Sequence, residues 1–260
     1  MDEFASWKSY ERFAHAVIRK ARYVFDKETE DFLSAILATM GPRIFGVPKG
    51  EKFWRAQLHE PNQKIWEVKE PFSAERMKPL STCKEGRINP KNIPCLYLAM
   101  DAETAMSEVR PWIGAIGTLA EFVTEKELNL IHCVGTISTS TPLWFAHLPK
   151  EPPPAERERY IWTTLNAAFS EPISPTDSTA DYAPTQVLAE VFKDAGYDGI
   201  MYGSSVGPGT NVALFELEAA RVINRKLFQT TKLSYEFDSN YLRRRQRRHH
   251  RRRKRKANKP

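Results

Sequence analysis

Apolar positions along the chain repeat with two different periods. Over residues 7–23, Trp7, Phe13, Val17 and Ile18 fall near one face of a helix. A second helix is predicted over 29–41, where Phe32, Leu33, Ile36, Leu37 and Met40 share one stripe. Asp26 or Thr29 is placed to cap it, and Gly41-Pro42 ends it. Beyond residue 50 the pattern changes to short apolar runs. Strands are predicted at Phe53–Gln57, 95–99, Gly199–Tyr202 and Asn211–Phe215, with a strand or strand pair over 128–138 and one or two edge strands within 221–237. Three further helices fit between them. The first is 102–110, capped by Asp101 and stopped near Pro111. The others are Glu156–Phe169 and 185–195, the last closed by Gly196. Helices that precede and interrupt a set of strands describe an α+β protein.

Charge changes this picture at one end only. The formal net charge is +7, but residues 243–260 hold 9 Arg and 3 Lys and no acid. Without those 12 positive charges the remainder carries −5, so the folded body is mildly acidic and the basicity is a tail. Such a tail buries no apolar surface and is expected to be disordered. Domain boundaries follow: a helical extension over 1–50, a main domain over 51–240 and a basic tail over 241–260. No apolar run approaches the length of a membrane span, and the acidic, aromatic N-terminus is unlike a signal peptide. Cys83, Cys95 and Cys133 lack metal-ligand spacing. They read as free thiols in a reducing cytoplasm, with no zinc site.

Residues 53–111 carry the candidate chemistry. Arg55 lies inside the apolar run Phe53-Trp54-Arg55-Ala56, and Arg87 lies in the tight Gly86-Arg87-Ile88-Asn89-Pro90 loop. One arginine on a strand is as readily the partner of a buried acid as of a ligand; two beside tight backbone favour a phosphate or carboxylate. Tyr97 faces away from Leu96 and Leu98, as a core aromatic or as one wall of a cleft. Glu108 taken alone is a helix-surface acid beside Arg110, and it gains weight only from its company. Ser204 and Ser205 precede the turn Gly207-Pro208-Gly209. No nucleophile elbow, P-loop or dinucleotide fingerprint surrounds them.

In order and spacing these pieces resemble the RES domain family. The resemblance rests on Arg55, on Gly86-Arg87-x-Asn89-Pro90 followed by residues 96–99, on Thr104-Ala105 with Glu108-Val109-Arg110, and on Gly196–Ile200 leading through Tyr202 and Ser204 to Asn211. It covers about residues 53–216. It departs from the family at Ile88, where a tryptophan is common. The resemblance implies a mixed or antiparallel split sheet like that of ADP-ribosyltransferases, with the N-terminal helices packed outside. It also implies a toxin of a toxin–antitoxin pair that consumes NAD. NAD is then a substrate, cleaved between nicotinamide and ribose by hydrolysis or phosphorolysis, and no prosthetic group or metal is required.

On that reading Arg55 and Arg87 hold the pyrophosphate, and Tyr97 packs against nicotinamide or its ribose. Glu108 stabilises the positive charge that develops as the glycosidic bond breaks. Ser204 positions nicotinamide or ribose, Asn211 supplies supporting contacts, and an antitoxin blocks the cleft. Two alternatives stay open. One is a protein ADP-ribosyltransferase. The other is a non-catalytic nucleic-acid-associated protein that acts through residues 243–256 by counterion release.

Overall fold

A computed structural model describes residues 3–61, 63, 66–134, 151–171 and 179–234. The basic tail, with its expected disorder and nucleic-acid contacts, lies outside the described residues, as do residues 135–138 of the strand pair expected over 128–138. Eight strands form one mixed sheet: β1 (Ile44–Val47), β2 (Lys52–Leu58), β3 (Leu96–Ala99), β4 (Ile116–Thr124), β5 (Leu128–His132), β6 (Gly199–Gly203), β7 (Thr210–Leu214) and β8 (Ala220–Gln229). Their spatial order is β1-β5-β6-β7-β3-β2-β4-β8. Among the described residues five α-helices accompany them: α1 (Ser9–Arg19), α2 (Lys27–Ala38), α3 (Ala102–Glu108), α4 (Pro154–Ser170) and α5 (Ala183–Asp194). The chain is thus α+β with a mixed sheet.

Alternation along the strands separates two cores. Ile131, Ile200, Tyr202 and Ala213 point toward α1, α2, α4 and α5, where Phe13, Phe32, Ile36, Trp162, Leu188 and Phe192 are buried. Leu130, Met201, Val212 and Leu214 face the other way, against Leu96, Leu98, Phe53, Phe122 and Met77. Tyr97 packs on the helical side and its neighbours Leu96 and Leu98 on the other, as the period of two requires. Each fully buried large side chain contributes about 1.5–3 kcal/mol relative to exposure, so the helical layer is held by its own core and not by propensity alone. Among the described residues only β5 and β6 pair in parallel. A parallel pair needs a long crossover, and the chain between these two strands contains α4 and α5.

Local chemistry explains where the helices start and stop. The Asp26 carboxylate accepts from the Thr29 N–H at 3.0 Å and caps α2. Asp101 does the same for α3, accepting from the Thr104 N–H at 2.7 Å. A cap of this kind is worth about 1 kcal/mol. α1 is shorter than its sequence pattern, since Tyr23 and Val24 are exposed and no buried face extends it past Arg19. α3 stops at Glu108, two residues before the predicted end, because Arg110 turns into the left-handed region at φ 45°. α5 starts earlier than predicted, at Ala183, with Pro184 in its first turn, where a missing N–H costs nothing.

Two strands were not anticipated. β1 is four residues long and only Val47 is buried, so it shows no apolar period. β4 is buried on nearly its whole length, wedged between β2 and β8, so alternation is absent there too.

The pairing between β2 and β3 is the weakest in the sheet. It consists of the one register pair Trp54–Ala99, whereas β2 and β4 pair over seven positions. The sheet therefore has a seam. On one side lie β1, β5, β6, β7 and β3; on the other lie β2, β4 and β8.

Candidate functional site

A cavity of about 680 Å³ opens at the seam. Its volume falls within the usual range for small-molecule sites, about 300–1,000 Å³. Five of the six residues singled out from the sequence line it: Arg55 from β2, Arg87 from the 86–90 loop, Tyr97 from β3, Glu108 from the end of α3 and Asn211 from β7. Ser204 stands just behind the wall, and its neighbour Ser205 lines the cavity instead.

Glu108 is accessible to the cavity and clamped. Its Oε1 accepts from the Asn211 side-chain amide at 2.6 Å and from the Ser204 hydroxyl at 2.7 Å. Its Oε2 takes no hydrogen bond from any described residue. The clamp depends on how the 204–209 turn sits on α3. Ser204 N–H donates to Gly209 O at 3.0 Å and closes the turn. Gly209 N–H donates to Thr104 Oγ1 at 2.9 Å and ties the turn to the helix start. A Cβ at Gly207 would lie 2.9 Å from the Thr104 Cα, so this close approach requires glycine. The Ser204 oxygen also accepts from the Gly207 N–H at 2.8 Å and the Val206 N–H at 3.2 Å. Its single proton is committed to Glu108. Ser204 is therefore built to orient the Glu108 carboxylate, with its oxygen engaged by two backbone N–H groups as well.

Arg55 shows the opposite condition. Its Nη1 donates to the Tyr97 carbonyl at 3.2 Å, while its buried Nε meets no acceptor. Burial pushes its pKa down, and among the described residues no carboxylate pairs with it. A buried acid was one of the two explanations for an arginine in an apolar strand, and the described residues supply none. Arg55 is half-buried on the cavity wall, and a guanidinium there that no described carboxylate pairs with is placed to meet an anion.

Arg87 reaches the cavity from a loop made rigid by its neighbours. The Tyr97 hydroxyl donates to Asn89 Oδ1 at 2.8 Å and accepts from the Ile88 N–H at 3.2 Å. Asn89 in turn donates to the carbonyls of Lys84 and Pro90, both at 3.1 Å. A Cβ on Gly86 would come within 2.8 Å of both Tyr97 Oη and Asn89 Oδ1. Burial pushes the Tyr97 phenol well above its ordinary range, and Cys95 and Tyr202 add to the effect, so the hydroxyl stays protonated. Arg87 Nη1 donates to Ala168 O at 3.4 Å, and its guanidinium lies 5.2 Å from the centre of the Tyr182 ring.

Residues that the sequence did not single out complete the walls. Tyr202 sits on β6 opposite Asn211, and burial together with the Glu108 carboxylate raises its pKa. Lys84 and Arg110 add positive charge at the rim, and Glu85 and Glu171 add negative charge. In the sequence Tyr202 entered only as part of the family pattern that leads to Ser204 and Asn211, with no role attached to it.

The site is thus a fixed carboxylate facing arginines across the seam of a mixed α+β sheet. A family model, the RES domain, matches residues 52–238, and the chain belongs to that family. No curated protein matches the chain. Among solved structures it is similar to the M. tuberculosis MbcT–MbcA toxin–antitoxin complex. The two are 14% identical with a TM-score of 0.37, over 74% of this chain and 90% of that one.

Proposed function

We propose that this RES-domain protein consumes NAD by breaking the bond between nicotinamide and ribose. The observation that carries the reading is the presence on one cavity of a clamped Glu108 carboxylate, whose Oε2 takes no hydrogen bond from a described residue, and a half-buried Arg55 guanidinium that no described carboxylate pairs with. Arg55 and Arg87 hold the pyrophosphate by charge-assisted hydrogen bonds. Oε2 of Glu108 accepts from a ribose hydroxyl, and its charge stabilises the positive charge that grows on the ribose as nicotinamide leaves. Asn211 and Ser204 keep the carboxylate aimed. The Tyr97 and Tyr202 rings form the apolar walls against which a flat heterocycle packs.

Purified protein incubated with NAD, with and without phosphate and with product masses recorded, tests this. Nicotinamide release is expected, and Glu108→Ala lowers kcat by at least about 10²-fold, as for loss of one fixed transition-state charge partner. Free ADP-ribose, its phosphate adduct or a modified protein then names the acceptor. NAD left intact by the wild type under all conditions would overturn the proposal. The same reading takes a protein antitoxin whose segment fills the cavity. Full NAD turnover by a native complex with such a partner would count against that part.

A further inference from the structure

We infer that Gln186 is a positioning residue for Arg87, and that the first turn of α5 acts as a two-point mount for the anion-binding loop. Gln186 is 9% exposed. Its side-chain amide nitrogen donates to Gly86 O at 2.8 Å and to Asn89 O at 3.1 Å. These two carbonyls bracket Arg87 and Ile88. Gly86 N–H also donates to Asn89 O at 2.9 Å, so the loop closes on itself and the amide grips the closure. One nitrogen with two protons satisfies two buried backbone acceptors. No residue other than asparagine or glutamine does this without bringing a charge.

The second point of the mount is Tyr182, four residues earlier. Positions i and i+4 share a helix face, and Tyr182 is the N-cap of α5. Its ring lies under the Arg87 guanidinium at 5.2 Å, and its carbonyl accepts from Thr185 Oγ1 at 2.9 Å. One helix start therefore fixes the backbone of residue 87 through Gln186 and the head of the side chain through Tyr182. On the far side of the loop, Tyr97 holds Ile88 N–H and Asn89 Oδ1. The loop is gripped between β3 and α5, with Arg87 held between the two grips. Gln186 is not needed to close the helical core, where Leu188, Ala189 and Phe192 of the same helix are buried. A side chain that donates two hydrogen bonds across sequence separations of 100 and 97 is placed there for the loop.

The test uses the full chain with Gln186→Met and Gln186→Glu. Met keeps length and helix propensity and removes the donor; Glu keeps the shape and opposes two carbonyls with an acceptor. Two readouts are taken. Amide hydrogen exchange over residues 84–92 needs no substrate, and it reports whether the loop is held. The expected result is exchange faster by at least about tenfold at Gly86 and Ile88, the loss of one hydrogen bond's worth of protection, with the amides of β6 and β7 unchanged. Kinetics with NAD rests on the function proposed above. In Gln186→Met, KM is expected to rise about tenfold with kcat within about threefold of wild type. In an Arg87→Ala background the same substitution changes KM no further, since the residue acts through Arg87.

Unchanged exchange in the loop, or KM effects that multiply with those of Arg87→Ala, would overturn the inference. So would an equal rise in exchange over the whole sheet, which would make Gln186 a general packing residue. A wild type that leaves NAD untouched sinks the function and not the mount, because the exchange measurement still decides the latter.

Discussion

Asn211→Ala isolates the Glu108 clamp. Asn211 is 5% exposed and its amide donates to Oε1 at 2.6 Å, so water does not replace it easily. A hydrogen bond to a charged group contributes about 1.5–3 kcal/mol. If that bond is expressed fully in the transition state, its loss lowers kcat/KM by roughly 10- to 150-fold at 1.36 kcal/mol per decade. Ser204→Ala removes the other arm of the clamp. That bond lies on the exposed side, where water competes, so the expected loss is smaller, roughly two- to tenfold. The assay is initial-rate NAD consumption followed by nicotinamide release, with thermal unfolding run in parallel. The decisive comparison is the double variant with Glu108→Ala. Asn211 acts only through the carboxylate, so Asn211→Ala costs nothing further once Glu108 is gone. A further tenfold loss in that background, or a wild-type rate in the single variant, would refute the clamp.

Three other outcomes follow from the same structure. Arg55→Met removes a half-buried guanidinium that no described carboxylate pairs with, so the ligand-free Tm is expected to hold or rise; NAD or ADP at about a hundredfold its Kd stabilises the wild type by about 2.7 kcal/mol and the variant by nothing, and a large drop in the ligand-free Tm would make Arg55 structural instead. Gly86→Ala forces a Cβ against Tyr97 Oη and Asn89 Oδ1, costs about 1–3 kcal/mol of stability as overpacking does, and raises KM through Arg87; unchanged unfolding would show that the loop gives way freely. His59 is buried, stacked on Phe72 at 3.9 Å with Nε2 3.0 Å from Thr118 Oγ1, and burial lowers its pKa. The unfolded chain then binds a proton near pH 6.5 while the folded one does not, so this stability is full above about pH 6.5 and lost as pH falls through the folded pKa. Unfolding curves of His59→Gln between pH 7.5 and 5 are expected to slope less than wild type, and equal slopes would dismiss the histidine.

How much of this was legible in the sequence depended on whether a residue advertised itself locally. The caps of α2 and α3 did, because Asp26 and Asp101 act three residues away. Arg55 did, because a charge inside an apolar run asks for a reason, whereas Glu108 gained weight only from the residues around it in the family pattern. β4 did not, since a strand buried on both faces loses the alternation that marks a strand. The partner of Glu108 was ambiguous in sequence, where Arg110 stood nearest. The structure instead brings Asn211 and Ser204 from 103 and 96 residues away. Asn211 ranked low among the candidates and makes the shortest contact with the carboxylate. Gln186 and Tyr182 were invisible for a related reason: one works by holding backbone carbonyls and the other by lying under a cation, and neither leaves a spacing to read.

Those long separations have a consequence for the order in which the molecule is made. Glu108 is synthesised early, but both of its clamping partners lie in the last third of the folded body, and β8, which pairs with β4 to complete the short side of the seam, comes later still. A chain still emerging from the ribosome thus carries the carboxylate without the turn that aims it and the strand β2 without a finished leaf around it. Incomplete translation products therefore lack the assembled site. On the function proposed above, NAD consumption begins only when nearly the whole body has been made.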